Sequence, residues 1–387
     1  MLENNFKLIK KNRTLLGVGP MSKNCVIAAT DISNKYNFPL MLIASRRQID
    51  SQEMGGGYVN NWNTFEYSNF VKSIDKKKKI ILARDHGGPW QNNIEVSRNF
   101  NLKQSMESAK KSFEEDIING FKIIHIDTSI DPIKKKITID QSLERFFELF
   151  EHCNVFARDN KKKIFYEIGT EEQSGSTNTP DELEYTLEKT INFCKKNKFQ
   201  IPVFVVIQAG TKVLERRNVG SFESPLRIEN ELPVEIQLPK MIEICKKFRI
   251  NMKEHNTDYL SNHSLSLHPK LGIHAANVAP EFGVVETLAF IDLLKKFKRY
   301  KFVDEFLEIS YQSKKWEKWL VPGSKITKSE KAIISGHYNF SNKKFLNLKK
   351  KANLFFKTKK INLDKHLQNA IFNSIYRYAK NFNLIKK

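Results

Sequence analysis

No apolar run in this sequence approaches the roughly 20 residues that a membrane-spanning helix requires. The amino terminus, MLENNFKLIKKNRT, lacks the apolar core of about 7–15 residues that marks a secretory leader, so a cytoplasmic protein is expected. Cysteine is scarce: Cys25, Cys153, Cys194 and Cys245 are scattered and no CxxC occurs. That spacing excludes a disulfide framework and a structural zinc finger, and leaves four free, mostly buried thiols. No GxGxxG follows the first apolar run and no GxxxxGK occurs, so the phosphate-cradling loops of nucleotide-binding folds are missing.

Acidic residues are also few, with 43 Asp and Glu against 65 Lys and Arg and a net charge of +22 over 387 residues. Much of the excess is local: residues 331–387 hold fourteen Lys or Arg and a single acid, Asp364. Such charge suits nucleic acid, anionic substrates or membrane surfaces. No nucleic-acid-reading motif accompanies it, Lys greatly outnumbers Arg, and a solvated basic surface is the expected reading, with no nucleic-acid partner. A content of 40% hydrophobic and 28% charged residues describes a folded globular chain.

What the sequence does contain is alternation. Short apolar runs at residues 14–18, 39–44, 79–83, 121–126, 163–167, 202–208, 250–254 and 271–276 read as buried parallel strands, and amphipathic stretches separate most of them. Eight strand–helix units in about 290 residues predict a (β/α)8 TIM barrel, whose usual length is about 250 residues. A doubly wound open sheet is the alternative. Residues 1–290 are expected to form the barrel, and 291–387 a basic, mostly helical extension packed on or beside it.

The strands end in residues that can do chemistry. The third, KKKKIILARDHGGP, breaks at Asp85 and His86, where two glycines allow close backbone approach. Others end near Arg46 and Gln48, Asp127, Glu167 and Glu171, Gln208, His255 and Asp258, and His274 and Asn277. In a barrel these ends converge on one mouth. Two histidines and a carboxylate from different strands can hold a divalent ion with positions open to substrate, which makes His86, Glu167 and His255 the candidate ligands. Asp85 or Glu171 is then the proton-transfer group. Arg46, Gln48, Gln208, Asp258, His274 and Asn277 are candidates for holding substrate. His125 lies mid-strand and reads as a packed core histidine.

The runs RDHGGPW, FKIIHIDTS, YEIGTEE, EHNTDY and NVAPEFG occur in the order seen in class II tagatose-bisphosphate aldolases, and resemble most the Z-type, non-catalytic subunit of that family. The resemblance spans residues 14–290, more weakly through the helical tail. It implies a TIM barrel, phosphorylated-ketose chemistry and a divalent metal, zinc or else manganese or a similar ion. It implies His86 as metal ligand and Asp85 as proton-transfer aspartate, and puts Glu167, His255 and Asn277 near the family's glutamate, histidine and asparagine. Gln208 stands where catalytic members carry a histidine. The implied partners are a phosphorylated sugar and a homo-oligomer or second aldolase subunit. The expected activity is metal-dependent aldol cleavage of a phosphorylated or acidic ketose, with ketose 4-epimerisation or a non-catalytic stabilising role as alternatives.

Overall fold

The computed structural model describes residues 12–385 except 135–136, 170–178, 208–210, 222 and 225–232. Glu171 and Gln208 of the expected site lie outside the described residues.

Strand β1 (Leu15–Val18) leads into helix α1 (Lys23–Tyr36), and β2 (Leu40–Ser45) into α2 (Thr64–Ile74). Strand β3 (Ile80–Gly87) is followed by α3 (Asn93–Ser97) and α4 (Leu102–Asn119), β4 (Ile123–Asp127) by α5 (Ile139–Asp159), and β5 (Phe165–Gly169) by α6 (Pro180–Asn197). After β6 (Phe204–Ile207) comes a small antiparallel hairpin, β7 (Lys212–Leu214) and β8 (Arg217–Val219), then α7 (Val234–Phe248). The strands β9 (Asn251–Glu254) and β10 (Ala275–Val278) flank α8 (Asn262–Leu271). The chain ends in α9 (Pro280–Lys296), α10 (Tyr300–Gln312), α11 (Lys328–Ser335), α12 (Lys343–Thr358) and α13 (Leu363–Asn381).

Eight of the strands close into a barrel in the order β1-β10-β9-β6-β5-β4-β3-β2, all neighbours parallel. The expected (β/α)8 barrel is therefore the fold. The last barrel strand begins later than residue 271, because Leu271 still belongs to α8, which Gly272 ends at φ +86°. Local signals set other boundaries. Thr179 caps α6 in a capping box with Glu182, with Pro180 in the first turn.

Side-chain alternation divides each strand between two cores. Inward residues of the lower barrel, among them Leu15, Met41, Ile81, Ile123, Phe165 and Phe204, form an apolar plug. Outward residues and the helix ring form the main core, which also takes Ile371, Ile375 and Tyr378 of α13. Helix α13 packs against α1 and α9 and completes the ring, with the amide of Thr14 bonded to the carbonyl of Phe382. Helices α9, α10, α12 and the start of α13 share a second core around Phe290, Phe306, Phe345 and Phe356. The four cysteines are free and buried, as expected. Among the described residues, no helix is long and apolar enough to cross a membrane.

Candidate active site

Above the apolar plug, inward positions turn polar. Asp85 on β3, His125 on β4, Glu167 on β5 and His255 just past β9 bring one ligand atom each to within 4.8 Å of one another. His125 Nδ1 lies 3.7 Å from Asp85 Oδ1 and 3.8 Å from Glu167 Oε1, and His255 Nε2 lies 3.6 Å and 3.4 Å from the same oxygens. Bonds of about 2.0–2.2 Å to a tetrahedral ion would separate neighbouring donors by about 3.3–3.6 Å, so the spacing fits a divalent cation.

The donor chemistry fits as well. Burial lowers His255 to about 4, His86 and Lys253 adding to the effect, so its imidazole is neutral with a lone pair available. Burial pushes Asp85 up, but His86, His255, His125 and Lys253 outweigh it and hold the carboxyl well below its usual range. Glu167 also resists its burial: Lys253, with His125 and His255, brings it down to about 2. Lys253 Nζ sits 2.7 Å from Glu167 Oε2, both side chains 1% exposed, which leaves Oε1 for the cluster. Two carboxylates against one ammonium leave a net negative charge there, which a cation would balance. His125 Nδ1, the ring atom nearest the two carboxylates, has a single lone pair and here accepts the His86 amide at 3.1 Å, so an ion held there would take the place of that bond; its Nε2 is buried without a partner.

Local backbone devices build this arrangement. Between Arg84↔Ile124 and Gly87↔Ile126 the β3–β4 register shifts, so Asp85 and His86 both fall opposite His125. This is a β-bulge, and His86 takes φ +43° within it. The bulge sends Asp85 inward and turns the His86 amide onto His125, while the His86 ring stands over the cluster, 5.1 Å from the His255 ring. Two inward glycines make room. A Cβ on Gly169 would come 2.2 Å from His125 Nε2, and one on Gly17 would come 2.3 Å from Asn277 Oδ1. Gly169→Ala is therefore expected to displace His125, to cost about 1–3 kcal/mol of stability through overpacking, and to weaken metal binding. Chemical denaturation and metal titration of the variant check both.

Of the expected ligands, Glu167 and His255 enter the cluster. His86 does not: its Nδ1 bonds Asp127 Oδ2 at 2.7 Å, and its Nε2 lies 4.0 Å from Asp85 Oδ2. Asp85, expected to move a proton, lies within the cluster beside Glu167 and His255. His125, expected as a core histidine, is the fourth member. Asn277 donates to Asp85 Oδ1 at 3.1 Å, and Gln48 lines the cavity with its Oε1 on the Ser45 amide.

Arg46 and His274 are not brought to the mouth. Arg46 is fully buried against Asp50, Glu95, Ser108 and the Gly88 carbonyl, where it ties the loops after β2 and β3 together. His274 sits at the amino-terminal end of β10, its Nδ1 accepting from the Met252 amide. Asp258 lines the cavity but spends Oδ1 on the amides of Ala279 and Glu281 at the start of α9.

Burial and the neighbouring Glu281 raise Asp258 to about 8. An unfolded aspartate titrates near 3.9, so the folded chain holds the extra proton between about pH 4 and pH 8. Stability from this group is full below that window and is lost as pH rises through it. Asp258→Asn is expected to flatten the decline in thermal midpoint across the window, as a melting series would show.

Through Asp85 and His255 the cluster faces a cavity of about 340 Å³, lined also by His86, Gln91, Tyr58 and Met21, with His125 and Glu167 buried beneath. Asp127, named among the strand ends but given no role there, fixes the His86 ring and also accepts from Gln91 and Ser129. Counting back two residues from Asp127 puts His125 on the same inward face, which is the signal that would have found it.

The family model for the D-tagatose-1,6-bisphosphate aldolase subunit GatZ/KbaZ-like group matches residues 9–220. Among solved structures, a probable tagatose 6 phosphate kinase from Sinorhizobium meliloti 1021 superposes with a TM-score of 0.72 at 16% identity, over 95% of this chain and 100% of that one. A fructose-bisphosphate aldolase from Campylobacter jejuni superposes at 0.54 and 10% identity, over 99% and 94%. Both likenesses concern the fold. No match is found among curated proteins. With more than half of its length matched by the family model and a barrel shared with an aldolase, this chain belongs to the GatZ/KbaZ-like family of tagatose-bisphosphate aldolase subunits.

Proposed function

We propose that the chain is a metal-dependent enzyme of aldolase type that cleaves and forms carbon–carbon bonds in a phosphorylated or acidic ketose. The observation that carries this reading is the closed set of Asp85, His125, Glu167 and His255 at the floor of an accessible cavity. A non-catalytic barrel has no need to bury two carboxylates beside two neutral-capable imidazoles. A divalent cation held there, zinc by its donor set, would supply the Lewis acid that polarises a substrate carbonyl.

The chain's own groups do the rest. His86 Nδ1 donates to Asp127, which fixes the tautomer and leaves Nε2 as a base toward the cavity, its side chain 22% exposed. His86 therefore takes the proton-transfer role and Asp85 the ligand role. Asn277 steadies Asp85, and Gln48, with its Oε1 on the Ser45 amide and its Nε2 on Met21 Sδ, shapes the cavity wall. Returning the cleaved fragment to the opposite face would turn cleavage into 4-epimerisation with the same residues. A stabilising role toward a second aldolase subunit is the second reading, favoured by the family's description as a subunit.

Purified protein with added zinc or manganese should turn over at least one member of a panel of ketose phosphates and ketose acids, by cleavage or 4-epimerisation. Chelator treatment should abolish that turnover and re-addition of the ion restore it. No turnover, with no ion bound at excess zinc or manganese, would sink the enzyme reading and leave the accessory one.

A further inference from the structure

The hairpin β7–β8 takes no part in the barrel, yet it stands at the mouth, where Lys212 and Val213 line the cavity. Its tip is moored to the carboxy-terminal extension between α10 and α11. The Glu215 amide donates to the carbonyl of Trp319 at 2.6 Å, and Ser324 Oγ donates to Glu215 Oε1 at 2.6 Å. On β8 stands Asn218, 6% exposed and in register with Val213. Asn218 Nδ2 donates to the carbonyl of Asn256 at 2.6 Å and to that of Asp258 at 3.0 Å. One side chain thus spends both amide hydrogens on the turn that directly follows His255.

That turn has a conformation the backbone does not hold unaided. Asn256 has φ +58° and Tyr259 φ +61°, a region that asparagine tolerates and a bulky tyrosine rarely enters. Such residues persist where their surroundings over-determine them. The Thr257 amide donates to the Asn277 carbonyl at 3.2 Å, and the Tyr259 amide to Glu281 Oε2 at 2.5 Å and Tyr378 Oη at 3.1 Å. Among the described residues, only Asn218 holds the carbonyls of Asn256 and Asp258. His255 keeps its Nε2 3.4 Å from Glu167 Oε1 and 3.6 Å from Asp85 Oδ1. One peptide link joins it to Asn256, so relaxation of the turn carries that nitrogen away from the two carboxylates.

We propose that Asn218 is a positioning residue for the metal centre: by holding the carbonyls of Asn256 and Asp258 it fixes His255 for a divalent cation, and it couples the hairpin to occupancy of the cluster. This rests on the metal-dependent reading of the site. Outer groups that orient a metal ligand in this way commonly set affinity by about 10–100-fold.

Two arms test it. The first follows hydrogen exchange of the wild type by mass spectrometry with and without zinc. Coupling is reciprocal, so zinc held by His255 should slow exchange in residues 211–220 as well as in 256–259. The second titrates zinc into the wild type, Asn218→Ala, Asn218→Asp and Arg217→Gln, the last an exposed neighbour on the same strand. Aspartate keeps the volume of asparagine but has no hydrogen to give the two carbonyls. Zinc should bind both Asn218 variants about ten-fold or more weakly, and Arg217→Gln as tightly as the wild type. At saturating cobalt the visible absorption of the Asn218 variants should differ from that of the wild type, because it reports the placement of His255; circular dichroism confirms folding. Wild-type affinity in Asn218→Asp would assign a packing role and overturn the proposal, as would unchanged affinity and cobalt absorption in both variants. Where the variants do not fold, the wild type decides: zinc uptake that leaves residues 211–220 unprotected overturns the proposal. Absence of zinc uptake at excess ion ends the metal reading and this proposal with it, whereas uptake with an indifferent hairpin ends the proposal alone.

Discussion

Replacing His125 or His255 by Ala should remove the bound metal, whereas His86→Asn should retain it. The two histidines of the cluster stand 3.4–3.8 Å from carboxylate oxygens that belong to different strands, at the spacing of donors around one ion. His86 is drawn away from that group by Asp127, and only its Nε2 faces Asp85, at 4.0 Å. Asparagine is the replacement of choice at 86, since it tolerates the φ of +43° that the bulge imposes. Loss of an outer partner of a metal ligand commonly costs 10–100-fold in affinity (about that range), and loss of a ligand itself should exceed it. Elemental analysis and zinc titration of the three variants, with circular dichroism as a control for folding, give the comparison. Turnover should fall in all three, for different reasons: absent metal in two, an absent base in the third. Metal lost from His86→Asn and kept by His125→Ala would reverse the assignment of roles.

Glu167→Ala should be the most destabilising single change in the barrel interior. It strands the Lys253 ammonium, 2.7 Å from Glu167 Oε2 and 1% exposed, with Asp85 as the carboxylate still acting on it. Removing one partner of a buried pair costs about 3–5 kcal/mol, because the remaining charge loses its direct partner without regaining water. The reverse comparison separates structure from chemistry. In the double variant Glu167→Ala with Lys253→Met, neither charge is left, and much of the loss should be recovered. Metal binding should not return, since the oxygen facing His255 is gone. Denaturant unfolding of the two single variants and the double one measures the coupling; additivity within about 0.5 kcal/mol would mean the pair is not coupled.

The strands are legible in the sequence because burial on both faces makes them short apolar runs with helices between, a pattern few folds share. The polar residues at the ends of β3, β5 and β9 were legible for the same reason: Asp85, Glu167 and His255 interrupt otherwise apolar segments. Mid-strand position told less about His125. In a staggered barrel, height above the plug depends on register with neighbouring strands, and His125 pairs with Glu167 while the β3 bulge lifts Asp85 to meet it.

Arg46 and His274 show the converse. Both flank apolar runs, yet one is taken up by Asp50 and Glu95 beneath the loops and the other lies at the opposite end of the barrel. The sequence by itself determined the alternation of strands and helices, the direction in which the strand ends point, and the family motifs, because these depend on local patterning. Only the tertiary structure decided that His125 stands beside Glu167 while His86 turns to Asp127, and that Trp319 of the extension returns to the β7–β8 hairpin. Those outcomes depend on register, a bulge and the return of a distant segment, and long-range packing sets all three.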